Sequence, residues 1–158
     1  MNDSLNKLIA LYNSLYKETD EIYGKLAHFF GMSDTTFWLL YFLRENNPST
    51  QSELASYLSV PKQTVNTALK RLEEDGIISL ETDPRNHRSK LLRLTVSGED
   101  YVKNTIDRVF DMELRAFSRF DEGERDLFLC LAKKHVQLLG REAEKILKTA
   151  RLGTGRNK

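Results

Sequence analysis

Cysteine is almost absent: the 158 residues include one, Cys130. A single thiol can neither close an intramolecular disulfide nor build a cysteine-cluster metal site, and such usage suits the reducing cytoplasm. Proline and glycine are scarce too, at three and eight residues, so few positions interrupt a helix. No apolar run approaches the roughly 18 residues of a membrane span. The start, Met1-Asn2-Asp3-Ser4, has no basic or apolar leader segment, so no secretory signal is read there. Net charge is only +1, and bulk charge alone names no polyanion partner. Catalytic signatures are missing as well: there is no Walker A sequence, no Gly-x-Ser-x-Gly and no His-Glu-x-x-His. His28, His87 and His135 lie far apart, without paired metal-ligand spacing. No enzyme, metal site or cofactor is expected.

What remains is helical patterning. From Ser4 to Phe30 apolar residues recur in steps of three and four, which predicts a long amphipathic helix with Gly31 just past its end. Ser33 or Asp34 can cap a second helix, apolar nearly all round, that Asn46-Asn47-Pro48 ends. Thr50-Gln51-Ser52-Glu53 is a capping box for a short helix burying Leu54, Ala55 and Leu58. Pro61 suits the first position of a fourth helix, striped by Val65, Ala68, Leu69 and Leu72 and stopped by Gly76. Residues 77–82 and 90–95 read as two strands, joined by a polar connection over 83–89. Thr95 can cap one long helix from Val96 to Arg119, and Asp121-Glu122-Gly123-Glu124 can open the last one, to about Leu152. Residues 153–158 are expected to be disordered.

A short helix, a tight turn, a second helix with a polar face and a β-hairpin make, in that order, a winged helix-turn-helix. The major groove rewards groups that reach base edges, and Gln63, Thr64, Asn66 and Thr67 supply them. Lys62, Lys70 and Arg71 can meet phosphates. The hairpin offers Arg85, His87, Arg88 and Lys90, and a thin basic tip suits the narrow, electronegative minor groove. A polar helix face or a basic turn alone is more often merely solvated; their adjacency behind a two-helix unit is what points to double-stranded DNA.

The residues themselves resemble the MarR family of bacterial transcription regulators. The resemblance rests on Leu54-Ala55-Ser56-Tyr57-Leu58, on Thr64-Val65-Asn66, and on Leu69-Lys70-Arg71-Leu72-Glu73-Glu74-Asp75-Gly76-Ile77-Ile78. Asp83-Pro84-Arg85-Asn86-His87-Arg88 is similar to the family's Asp-x-Arg-x-x-Arg wing signature, and Leu94-Thr95-Val96-Ser97-Gly98 to its Leu-Thr-x-x-Gly. Asn86 departs from the acidic residue many members carry, and Val60-Pro61-Lys62 from the small polar residues common there. The resemblance implies a mainly α protein with a small β-hairpin wing (α+β): a winged helix-turn-helix head on a helical dimerisation domain. It divides the chain into a dimerisation helix (1–31), a DNA-binding head (32–95), C-terminal dimerisation helices (96–152) and a tail (153–158). It further implies a homodimer reading a palindrome, with Asp83 pairing with Arg85 and orienting it for the minor groove.

A repressor released by a small aromatic or lipophilic effector is the expected mode of action. Tyr12, Tyr16, His28, Trp38, Tyr41 and Phe42 are the candidate pocket residues, although aromatics at helical spacing are more often core. Cys130 lies in Leu127-Phe128-Leu129-Cys130-Leu131-Ala132, where it reads as a packed small residue rather than a redox sensor. The rival reading is a winged-helix dimer that binds another protein, which the base-capable helix face argues against.

Overall fold

A computed structural model describes residues 2–84 and 86–154; for Asn2, His87, Arg88 and 150–154 it describes the backbone alone. The elements run α1 (Asn2–Phe29), α2 (Asp34–Glu45), β1 (Ser49–Thr50), α3 (Gln51–Leu58), α4 (Lys62–Glu74), β2 (Ile78–Asp83), β3 (Asn86–Leu94), α5 (Val96–Asn104), α6 (Ile106–Phe117) and α7 (Glu122–Thr154). The mainly α fold with a small β wing is therefore as expected. Two compact units divide the chain, residues 1–111 and 112–158. Their boundary falls inside α6, and Val102, Ile106 and Val109 are buried in the first unit.

In the first unit the core is built by α2, whose Phe37, Leu39, Leu40 and Leu43 are fully buried. Leu54 and Ala55 of α3, Val65, Leu69 and Leu72 of α4, and Ile78, Leu92 and Leu94 of the sheet complete it. Local chemistry sets the helix ends. The Ser33 hydroxyl accepts from the Thr36 amide to start α2, and Thr50 and Glu53 form the expected reciprocal box on α3. Pro61 sits one place earlier than expected, as the N-cap of α4. Gly31 and Gly76 take φ +70° and +69°, left-handed values that favour glycine after a helix.

Three expectations are corrected. A third strand, β1, pairs Ser49 with Leu92 and Thr50 with Leu91, giving the antiparallel order β1-β3-β2. Two residues are too few to show an alternation. The seven-residue connection shrinks to positions 84–85: pairing jumps from Thr82–Lys90 to Asp83–Asn86, so the polar stretch joins β3 as an irregularity. The single helix over 96–119 is broken at Thr105, with φ −125° and ψ −77°. There the Thr105 hydroxyl donates to the Tyr101 carbonyl and the Asn104 amide to that of Asp100, side-chain bonds that compete with helix propagation.

In the second unit Asp121 and Glu124 cap α7 reciprocally, and Phe117, Phe120 and Phe128 cluster with ring centroids about 6 Å apart. Helix α7 runs through Thr154, past the expected end at 152, and residues 155–158 lie outside the described residues. Cys130 is exposed in the single chain, contrary to the packed site expected, and so are its neighbours Leu127, Phe128, Leu129 and Leu131. Among the described residues these four keep 50–59% of their surface open.

Candidate nucleic-acid interface

Helix α4 turns on its buried residues. Val65, Leu69 and Leu72 anchor one side against the core. At about 3.6 residues per turn the opposite side centres on Gln63, Thr67 and Lys70, with Asn66 on one flank and Thr64 and Arg71 on the other. All of these, and Lys62, are exposed. The sequence-predicted set therefore forms one continuous polar face.

Electrostatics leave its cations available. Lys70 lies 3.7 Å from Glu74 and Arg71 4.0 Å from Asp75, each pair exposed and one helical turn apart. Such pairs are worth about 0.3–0.5 kcal/mol, so a phosphate can displace the carboxylate at small cost. Asn66 is held differently: the Gln51 amide of α3 donates to its carbonyl oxygen, tying the two helices of the turn together. This bond leaves the Asn66 amide nitrogen, a donor, on the exposed side of the pair.

Sequence reasoning missed Gln51, and it missed a groove of about 580 Å³ where Ser33, Thr35 and Thr36 at the start of α2 meet Gln63, Thr64, Thr67 and Arg71 of α4. Ser33 showed only as a cap, and nothing local reveals that α2 begins beside α4.

The wing is ordered by pairing across its strands. Lys90 is exposed and its ammonium donates to the Thr82 hydroxyl opposite, at 3.2 Å. Arg93 and Glu81 pair at 2.9 Å. Asp83 is 5% exposed, a carboxylate folded into the end of β2. Arg85, its expected partner, and the Arg88 side chain lie outside the described residues.

The effector candidates do not form one site. Trp38 and Tyr41 come together, 5.3 Å apart, joined by Tyr23 of α1 at 4.9 Å from Trp38 and by Phe110 of α6 at 4.6 Å from Tyr41. Phe42 instead stacks near Tyr57 of α3, at 4.4 Å. Tyr12, Tyr16 and His28 lie exposed along α1. Tyr23 and Phe110 carried a signal, helical spacing on an apolar stripe, that α1 and α6 share with many other residues.

A helix-turn-helix with a paired wing and an exposed, base-capable second helix agrees with the comparisons. The MarR family model matches residues 30–89, from just after α1 into β3 of the wing. An uncharacterized HTH-type transcriptional regulator of Bacillus subtilis, YwoH, is 31% identical over 108 residues, covering 68% of this chain and 78% of its own. The chain belongs to the MarR family. It is a DNA-binding transcription regulator of the winged helix-turn-helix type. The repressor NicR of Pseudomonas putida is 25% identical over 126 residues, 80% of each chain. The MarR family regulator NMB1585 of Neisseria meningitidis shares the fold with a TM-score of 0.71 at 21% identity, covering 90% of this chain and 97% of that one. Among the described residues no helix is long and apolar enough to cross a membrane.

Proposed function

We propose that the protein is a homodimeric, cytoplasmic repressor without catalytic activity that reads a two-fold symmetric operator. The observation that carries this is the continuous exposed face of α4, backed by three buried anchors. Gln63, Thr64, Asn66 and Thr67 read base edges in the major groove, and Lys62, Lys70 and Arg71 hold phosphates. Asp83, Arg85, Arg88 and Lys90 serve the wing at the minor groove. NicR, a repressor by name, supports the sign of the regulation.

The dimer is supported by apolar surface the chain leaves uncovered. Leu8 and Tyr16 of α1 are 63% and 69% exposed, and Ile146 of α7 is 72% exposed, each within a longer stripe. Two copies related by a two-fold axis can cover such stripes mutually. The half-exposed cluster of Tyr23, Trp38, Tyr41 and Phe110 supports a small aromatic or lipophilic effector that shifts the heads.

The test is a set of anisotropy titrations on an operator selected from random duplexes, at several salt concentrations. Asn66→Ala or Gln63→Ala should flatten preference at one or two positions, by about 1–3 kcal/mol, and leave the salt slope nearly unchanged. Lys70→Ala and Arg85→Ala should weaken all duplexes and lower the slope by about one per lost charge contact in each half-site. A protein that ignores every duplex, yet captures a partner protein through α4, would establish the interaction module instead.

A further inference from the structure

Arg44 occupies an unusual position at the end of α2. Its Nε and Nη2 donate to the two carboxylate oxygens of Asp107, both at 2.8 Å, and its Nη1 donates to Glu99 at 2.6 Å. Glu99 belongs to α5 and Asp107 to α6, so one guanidinium grips both sides of the break at Thr105. The planar fork suits this task, because Arg satisfies a carboxylate with two parallel bonds and still keeps a third donor. The groups are part-buried, with side chains 32%, 46% and 29% exposed, so solvent screens them less than the surface pairs of α4. The Asp107 hydrogen bonds hold the guanidinium pKa above its ordinary value, against desolvation.

The break itself is built, not frayed. Thr105 is 7% exposed and its hydroxyl is bonded inside the preceding turn, while Val102, Ile106 and Val109 on both sides are buried. Packing thus fixes where the helix breaks. Across this one-residue junction apolar contacts, Tyr41 against Phe110 among them, hold the start of α6 beside α2. Three charge-assisted bonds from one rigid group add to that packing a directional constraint on the angle of α6.

We propose that Arg44 is a positioning residue for operator recognition: by clasping Glu99 and Asp107 across the Thr105 break it sets the angle of α6 to the head, and so the half-site spacing the dimer accepts. This rests on the dimeric, operator-reading function above. Two recognition helices must sit about 34–36 Å apart, one turn of DNA, and a single inserted base pair moves one half-site by about a tenth of that distance and a tenth of a turn. A stiff clasp rejects that displacement; a loosened one accepts it. Arg44 touches no DNA in this scheme, so single half-site affinity is independent of it.

The experiment uses full-length parent, Arg44→Met, Arg44→Lys and the milder Glu99→Gln, which weakens only the α5 grip to a neutral hydrogen bond. Each is titrated against the selected operator, against operators with one base pair inserted or deleted between half-sites, and against a single half-site. The distance between heads is read by pulsed electron spin resonance on Glu73→Cys, spin-labelled in a Cys130→Ser background. The parent should lose about tenfold or more in affinity per changed base pair. Arg44→Met should cut that penalty to about threefold or less, with unchanged half-site affinity and a broadened distance distribution, and Glu99→Gln should fall between. Arg44→Lys, which cannot bridge two carboxylates bidentately, should follow Arg44→Met more closely than the parent. Variants with the parent's spacing profile and distance distribution overturn the proposal, as does an equal loss on half-site and full operator. A parent that binds no duplex refutes the operator reading instead, and the distance distribution still decides the clasp.

Discussion

The Leu-Thr-x-x-Gly segment gives the sharpest structural prediction. The Thr95 amide donates to the Ile77 carbonyl at 3.1 Å, and its hydroxyl donates to the Gly76 carbonyl at 2.6 Å. The same hydroxyl accepts from the Gly98 amide at 3.0 Å, capping α5. These bonds draw α5 against the base of the wing so closely that a Cβ on Gly98 would lie 1.9 Å from the Ile77 carbonyl oxygen. Real Cβ contacts essentially never fall below 3.0 Å, and the obstacle is backbone rather than a flexible side chain. Gly98→Ala must therefore push α5 and the wing base apart by about an ångström. Overpacking of this kind costs about 1–3 kcal/mol. Loss of the cap adds about 1 kcal/mol, and loss of the Thr95–Ile77 bond about as much again. The expected total is about 3–5 kcal/mol, a large part of the roughly 5–15 kcal/mol that holds a domain folded. Urea unfolding, at one fixed protein concentration because a dimer's stability depends on it, should show the midpoint falling by about 1.5–2.5 M for a slope near 2 kcal/mol/M. Gly24→Ala is the matched control. It makes the same change in the unfolded chain, at a site in α1 where nothing lies within 4 Å, and should stabilise the chain by up to about 1 kcal/mol. If Gly98→Ala unfolds within about 1 kcal/mol of the parent, the close approach does not exist and the reading of this motif as the latch of the wing fails.

Three shorter predictions concern the rest of the chain. Tyr101 has its pKa raised by burial and, secondarily, by Asp75; the unfolded chain ionises it near pH 10 while the folded one resists, so stability should fall as pH rises past 10, and less so in Tyr101→Phe. Thermal unfolding between about pH 8 and 11 checks the sign. Cys130→Ser should leave DNA affinity unchanged before and after peroxide, measured by anisotropy; release of the parent alone by peroxide would make the exposed thiol a sensor. Sedimentation should give about 37 kDa, twice the chain mass, and removal of residues 1–30 should abolish it together with operator binding; a monomer that binds a palindrome tightly would contradict this.

Helix ends and the exposed polar face of α4 were legible because their signals are local. Ser33, Thr50, Thr95 and Asp121 all cap the helices they were read to cap. The stripe Val65, Leu69, Leu72 set the rotation of α4, and with it which polar residues face outward. The break at Thr105 was illegible because apolar spacing passes through it undisturbed: Val102, Ile106 and Val109 keep steps of four and three on either side. At the break Thr105 and Asn104 bond to the carbonyls four residues back, but Thr19, Thr67 and Thr149 do the same inside continuous helices, so these bonds mark no break in the sequence.

The same limit applies to everything that joins distant segments. Arg44 lies 55 and 63 residues from its carboxylates, and Gln51 lies 15 from Asn66. In the sequence each is one polar residue among many on a solvated face, and only the fold distinguishes the guanidinium that spans a helix break from those that merely pair within a turn. On the function proposed above, base-reading chemistry lies in one helix, while the spacing at which two such helices can be used depends on contacts between elements. A variant that keeps every residue of α4 but loses Arg44 should then keep its base preference while losing its sense of distance.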